Sequence, residues 1–175
     1  MKKALVLALA MVALGAISAS ATTVLYVPMN KSVDLSEVIL LGHVLRMEPA
    51  YNAEGEIVTR IDLLVEEGLK GGVERSAIFS FFARGGSLDG VHVETVGEAK
   101  YRLGERVLVQ LESIDGEYYT LGLAFGKWNV AQERDGRPVM IRNLSDLHMV
   151  GAEETPVDKF PLQRMRDIAA LRQAF

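Results

Sequence analysis

Val38-Ile39-Leu40-Leu41-Gly42-His43-Val44-Leu45-Arg46-Met47 and Ile57-Val58-Thr59-Arg60-Ile61-Asp62-Leu63-Leu64-Val65-Glu66 are the stretches that decide the fold. In the second, Ile57, Thr59, Ile61, Leu63 and Val65 fall on one side. Arg60, Asp62 and Glu66 fall on the other. That period of two marks a half-buried antiparallel strand. In the first, Ile39, Leu41, Leu45 and Met47 share one face, and Leu40, Gly42 and Val44 share the other. Both faces are mostly apolar, which predicts a strand in the middle of a sheet. Asn52-Ala53-Glu54-Gly55-Glu56 between them reads as a turn, so the two strands are expected to form a hairpin.

Outward from this pair, Lys70-Gly71-Gly72 breaks the chain and Ala77–Phe82 reads as a third strand. Phe79, Phe81 and Phe82 place aromatic rings on both of its faces. One face is expected in the core and the other against a C-terminal helix. Residues Arg84–Lys100 carry Gly85, Gly86, Gly90 and Gly97 and read as a long connection, a place where function concentrates. Arg106–Leu111 is a fourth strand with Val107, Val109 and Leu111 inward. Asp115-Gly116 is a hairpin signal, and Tyr118–Phe125 returns as the fifth strand. Lys127–Gln132 and Pro138–Ile141 flank Asp135-Gly136 and predict a further hairpin. After a linker at Gly151–Lys159, Pro161 suits the first position of a helix. Leu162, Met165, Ile168, Ala169 and Leu171 then recur at helical spacing, an apolar stripe expected to dock on the strands. The pattern predicts a mainly β fold: a five-stranded Greek-key barrel of the OB type, with an extra hairpin and a C-terminal amphipathic helix. An immunoglobulin-like sandwich is the alternative, but it calls for about seven evenly spaced strands.

Residues 1–21 have a different character. Lys2 and Lys3, an apolar run from Ala4 to Ile17, and Ala19-Ser20-Ala21 form the three parts of a secretory signal. The run is short for a membrane span, which takes about 20 residues. The chain therefore divides into a signal (1–21), an OB-like domain (22–150) and a linker with helix (151–175), and an exported, periplasmic or secreted protein with no membrane span is expected. Cleavage leaves 154 residues and takes the formal charge from −4 to −6. An acidic surface repels phosphate backbones, so nucleic acid is not an expected partner. No cysteine is present, which excludes thiol catalysis, thiolate metal sites and disulfides.

Chemistry-bearing patterns are sparse. His43 alternates with apolar residues and reads as a satisfied strand residue. His92 lies in the glycine-rich stretch, where Asp89 and Glu94 could join it on a metal, although a plain loop is the simpler reading. His148 precedes Met149 and carries no pattern. Ser87 follows Gly85-Gly86 without the strand–turn–helix context of a nucleophile elbow. The Gly85-Gly86-Ser87 backbone could face an anion, with a flexible turn as the plain alternative. No catalytic residue, metal ligand or cofactor is predicted. Tyr118, Tyr119 and Gly126-Lys127-Trp128 form an aromatic-rich patch near the Asp115-Gly116 turn.

The strand block resembles the netrin-like module, the domain of the tissue inhibitors of metalloproteinases. Ser36-Glu37-Val38-Ile39-Leu40-Leu41-Gly42-His43-Val44 is similar to its first barrel strand. Leu64-Val65-Glu66-Glu67-Gly68-Leu69-Lys70-Gly71 is similar to its strand ending in a Lys-Gly turn. Val107-Leu108-Val109-Gln110-Leu111 through Asp115-Gly116 to Tyr119-Thr120, closed by Trp128, is similar to its later hairpin. Gly104-Glu105-Arg106-Val107-Leu108-Val109 and Gly122-Leu123-Ala124-Phe125-Gly126-Lys127 also resemble elements of small exported bacterial proteins. The resemblance spans roughly residues 36–128 and implies an OB-like barrel that engages a protein, with an extracytoplasmic protease as one such partner. In the animal inhibitors an N-terminal cysteine chelates the protease zinc. Here Thr22-Thr23 would stand in that place, and without a disulfide its ordering costs about 1–2 kcal/mol per residue. The expected function is a non-catalytic binding module, with Thr22, Thr23, Gly85, Gly86, Lys127 and Trp128 as candidate partner-binding residues. A hydrolase using dispersed carboxylates and an envelope-associated structural protein are the alternatives.

Overall fold

A computed structural model describes residues 22–151 and 159–174. The expected signal (1–21) and the stretch 152–158 of the expected linker lie outside the described residues. The elements are β1 (Thr22–Leu25), α1 (Met29–Leu35), β2 (Val38–Tyr51), β3 (Ile57–Lys70), β4 (Ile78–Leu88), β5 (Val91–Glu94), β6 (Arg106–Ile114) and β7 (Glu117–Thr120). A 3-10 turn (Leu123–Gly126), β8 (Lys127–Gln132), β9 (Pro138–Ile141), β10 (Leu147–Val150), β11 (Lys159–Pro161) and α2 (Leu162–Gln173) follow. The fold is mainly β, with a mixed nine-stranded sheet and a C-terminal helix. Among the described residues no helix is long and apolar enough to cross a membrane.

β2 lies between β3 and β6, the central position its two apolar faces predict. Its register against β3 shifts between Val44 and Arg46. Leu45 is left 52% exposed, and Met47 packs with Leu40 and Val44. Strict alternation puts Leu45 and Met47 with Ile39 and Leu41. One extra residue at a bulge reverses the facing of everything beyond it.

The sheet runs β11-β9-β8-β6-β2-β3-β4-β5. β7 lies off this path, antiparallel to β6 and parallel to β4 at Phe82↔Tyr119. The pairings β2-β3, β3-β4, β4-β7, β7-β6 and β6-β2 thus return to their start. The turn between β6 and β7 holds Asp115 and Gly116 at φ 54° and 87°, the two positive values a type I′ hairpin requires. A separate pair, β1 with β10, is parallel.

Two apolar clusters use opposite faces of β2. Leu40 and Val44 meet Ile61, Leu63, Val65, Phe81, Val107, Val109 and Leu111, with Ala99 and Tyr101. Ile39 and Leu41 meet Leu108, Trp128, Met140 and the helices. Leu162, Met165, Ile168 and Ala169 of α2 are buried there, so the expected docking of its stripe holds. Leu171 is 59% exposed and does not belong to the stripe. α2 packs chiefly on α1, β3, β9 and β11, rather than on β4, the strand that carries Phe79, Phe81 and Phe82. Phe81 is core. The Phe82 ring meets Tyr119 at 5.8 Å and Phe79 meets Tyr118 at 5.2 Å. β7 supplies the cover that the sequence reading assigns to the helix.

The expected long connection is also corrected. β4 continues to Leu88, turns at Asp89-Gly90, and returns as β5, with Gly85↔Glu94 through Leu88↔Val91 in register. Asp89 and Gly90 sit at φ 51° and 78°, again the type I′ turn. Gly85 is at φ 88°, and a Cβ there would lie 2.6 Å from the Val93 carbonyl. Only glycine lets the two backbones approach this closely. Glycine in this stretch closes a hairpin rather than loosening a loop.

Candidate functional site

The stretch from Glu94 to Tyr101, between β5 and β6, is where most of the candidate binding residues meet. Thr22 donates its hydroxyl to the Val96 carbonyl at 2.7 Å. Gly85 and Gly86 pair with Glu94 and Val93. The Lys127 ammonium donates to the Lys100 carbonyl. Thr22 and Thr23 are held by parallel pairing with Leu147 and His148. Thr23 is exposed on that strand.

Lys127 and Trp128, both candidate partner contacts, are buried in the fold. Trp128 is 1% exposed beneath α2, with its indole N–H 3.4 Å from Gln110 Oε1. Lys127 is 8% exposed. Its Nζ is 2.7 Å from Glu105 Oε1 and 4.6 Å from the centre of the Tyr101 ring. Burial pulls this ammonium below its ordinary pKa, against the opposing charge of Glu105. Its donors are engaged within the fold, so it braces the segment instead of facing a partner.

Beside the segment opens a cavity of about 290 Å³. Met47, Ile61, Ala83, Ala99 and Tyr101 give it apolar walls, and Gly85, Gly86, His92, Val93 and Glu94 border it. Glu98 lines this cavity and also a second, polar one of about 220 Å³ that includes Lys127, Glu105, Asn129 and Asp146. The side chain of Glu98 is nearly all buried. One carboxylate oxygen accepts the Ala99 N–H at 3.1 Å. The other makes no hydrogen bond and lies 3.5 Å from Arg84 Nη1. Arg84 in turn rests over the Tyr119 ring at 4.8 Å. Burial pushes the Glu98 carboxyl above the usual carboxylate range, and the Ala99 and Arg84 contacts only partly offset it. Burial likewise raises the Tyr101 phenol, which is within 2.8 Å of Thr120 Oγ1.

The histidines take ordinary roles. His43 Nε2 is 2.6 Å from Glu66 Oε1, and Glu66 also accepts from Arg106 through both oxygens. His92 Nδ1 meets Ser87 Oγ at 2.8 Å across the β4–β5 hairpin. Asp89 accepts from the Tyr51 hydroxyl at 3.1 Å and Glu94 lies 3.7 Å from Lys100, so the three residues weighed as a metal cluster are each turned elsewhere. Among the described residues no group of three or more His, Asp or Glu side chains converges as a metal site.

Glu98, Arg84 and Tyr101 are the members of the site that sequence reasoning misses. A single acid between Gly97 and Ala99 carries no local signal. Its charged neighbour, Arg84, comes from β4, on the far side of the β5 hairpin. Comparison with protein-family models, with characterised proteins and with solved structures finds no match to this chain.

Proposed function

We propose that this chain is an exported, non-catalytic binding module on a five-stranded Greek-key barrel of the OB type. It engages an extracytoplasmic protein, with proteases as one class of partner, at the cavity beside Glu98. The barrel reading is supported by the pairings β2-β3-β4-β7-β6-β2, which return to their start with one parallel contact, between β4 and β7. The binding reading rests on one observation, a cavity of about 290 Å³ in which Met47, Ile61, Ala83, Val93 and Ala99 form an apolar wall and Arg84, His92, Glu94, Glu98 and Lys100 form a charged and polar rim. A concave site that combines an apolar wall with polar groups suits recognition of an amphipathic side chain or small group. Thr22, Gly85 and Gly86 border or brace the same segment and carry the netrin-like expectation to this place.

Affinity capture tests the reading. The exported form of the chain is immobilised, and extracytoplasmic extract of its source is passed over it. A partner held by the wild type is expected to be lost from Ala83→Met, which fills the cavity from its buried wall. Retention unchanged by Ala83→Met, or no retained protein at all, overturns the proposal. A second reading, hydrolysis by dispersed carboxylates, is favoured by Glu94 and Glu98 lining one cavity and by the raised Glu98 carboxyl. Under it, the wild type consumes the captured molecule and Glu98→Gln accumulates it.

A further inference from the structure

The two ends of the nine-stranded sheet differ in how they are closed. β11 is Lys159-Phe160-Pro161, and proline and lysine are standard guards of a sheet edge, since proline offers no N–H to a newcomer. β5 is Val91-His92-Val93-Glu94, exposed at every position, and carries neither guard. Val91 is 52% and Val93 38% exposed. Among the described residues β5 pairs with β4 alone.

The hairpin fixes which backbone groups β5 leaves open. In a two-residue turn the flanking pair, here Leu88↔Val91, exchanges both backbone bonds. Alternation makes Gly86↔Val93 the next such pair. His92 and Glu94 therefore turn their N–H and C=O groups away from β4, towards the open edge.

We infer that β5 pairs antiparallel with β5 of a second copy of this chain, about a two-fold axis through Val93. The pairing of polar side chains selects this register. A strand added to the edge must place its own outward-turned residues opposite His92 and Glu94. An axis at His92 sets His92 against itself, and an axis at Glu94 sets two carboxylates against each other, which is unfavourable. The axis at Val93 sets His92 opposite Glu94 of the partner copy twice, with each pair exchanging its backbone bonds. The two Val93 side chains meet on the opposite face, and Val91 falls opposite the partner's Thr95. The existing contacts permit this. Ser87 engages Nδ1 of His92 and leaves Nε2 open. Among the described residues Glu94 pairs with the exposed Lys100 at 3.7 Å, a weak surface pair. A two-fold contact of this kind is self-complementary and closes at a dimer, and it merges the two sheets into one.

Sedimentation equilibrium of the purified chain, read up to about 1 mM, tests the inference. A four-residue edge makes a small interface, so a reversible dimer with a dissociation constant on the order of 10⁻⁴ M is expected. Glu94→Lys places lysine opposite His92 and is expected to weaken the dimer about tenfold. The double exchange His92→Glu with Glu94→Lys sets opposite charges against each other in the same register and is expected to recover it. This recovery also shows that the exposed strand tolerates the changes. A wild type that stays monomeric to about 1 mM overturns the inference. So does a dimer indifferent to Glu94→Lys, or a double variant as weak as the single one.

Discussion

Asp62 and Glu98 are both carboxylates withdrawn from water, and the fold treats them in opposite ways. Asp62 is 3% exposed on β3. Ser80 donates to one of its oxygens at 2.8 Å, Arg46 Nε to the other at 2.7 Å, and Arg60 stands at 3.5 Å. Burial pushes this carboxyl up, but the hydrogen bonds from Ser80 and Arg46 and the two cations together hold it below the usual range. Glu98 is 8% exposed. It has one backbone donor, one oxygen with no hydrogen bond and a guanidinium at 3.5 Å. There burial prevails and the carboxyl is raised. A satisfied buried charge ties strands together. An unsatisfied one is maintained at a cost, and such groups gather where a molecule is to be bound or changed.

Removing each carboxylate is the most direct way to break this comparison. Asp62→Ala strands Ser80 and two arginines of β2 and β3, and is expected to lower stability by about 2–3 kcal/mol, measured by denaturant unfolding. Glu98→Gln keeps the shape and removes the charge. It is expected to raise stability at neutral pH by about 1 kcal/mol, the scale of a buried polar group relieved of its desolvation. A loss at Glu98 comparable to that at Asp62 would make both residues structural and remove the contrast.

The pH dependence sharpens it, because the signs are opposite. The folded-state carboxyl of Asp62 lies below its unfolded value. Its contribution is present above the unfolded pKa and disappears as pH falls through the folded one. For Glu98 the folded value lies above the unfolded one. Its contribution is complete below the unfolded pKa and is lost as pH rises through the folded value. The advantage of Glu98→Gln over wild type should therefore grow from acidic to neutral pH, and the disadvantage of Asp62→Ala should also grow over the acid range. Parallel melting curves from about pH 3 to 8 separate the two. An advantage of Glu98→Gln that stays flat across that range contradicts a raised carboxyl.

The same pair shows what a sequence discloses. Asp62 lies in the clean alternation of β3, on the face opposite Ile61 and Leu63, so its face was legible, but its burial against Ser80 and Arg46 was not. The hairpins at Asn52–Glu56 and Asp115-Gly116 and the stripe of α2 were legible for the same reason, because spacing along one segment encodes them. The bulge at Leu45 was not, since a register slip leaves no mark in composition. Glu98 was hidden because the glycines from Gly85 to Gly97 read as a loose connection. Yet Asp89-Gly90, set between Leu88 and Val91, is the same turn signal as Asp115-Gly116. It could have disclosed β5, and with β5 the wall of the cavity. The guanidinium beside Glu98 comes from Arg84 of β4, and no local pattern in the chain announces that meeting. Lys127 and Trp128 looked exposed because a charged residue beside an aromatic one reads as a surface patch. Their burial depends on α2 and on Glu105, both outside that patch.

The smallest effects belong to the arginines beside the two carboxylates. Arg60 is the more distant of two cations at Asp62, with its side chain 37% exposed and a second partner in Glu48 at 3.0 Å. Its removal leaves Arg46 and Ser80 in place, so Arg60→Ala is expected to cost about 0.2–1 kcal/mol, the range of a solvent-screened pair. It should leave the pH profile almost unmoved. Arg84 is the named counter-charge at Glu98, and it also covers the Tyr119 ring. Arg84→Met keeps much of that apolar cover and removes the charge. It should raise the Glu98 carboxyl further and carry its pH-dependent loss to higher pH. Equal pH responses in the two arginine variants would mean that Arg84 acts on Tyr119 alone. Glu98 would then be set by burial without any charge partner. A shift confined to Arg84→Met ties the guanidinium to the carboxyl at the cavity, and makes that pair the place where a bound side chain or small group would be felt.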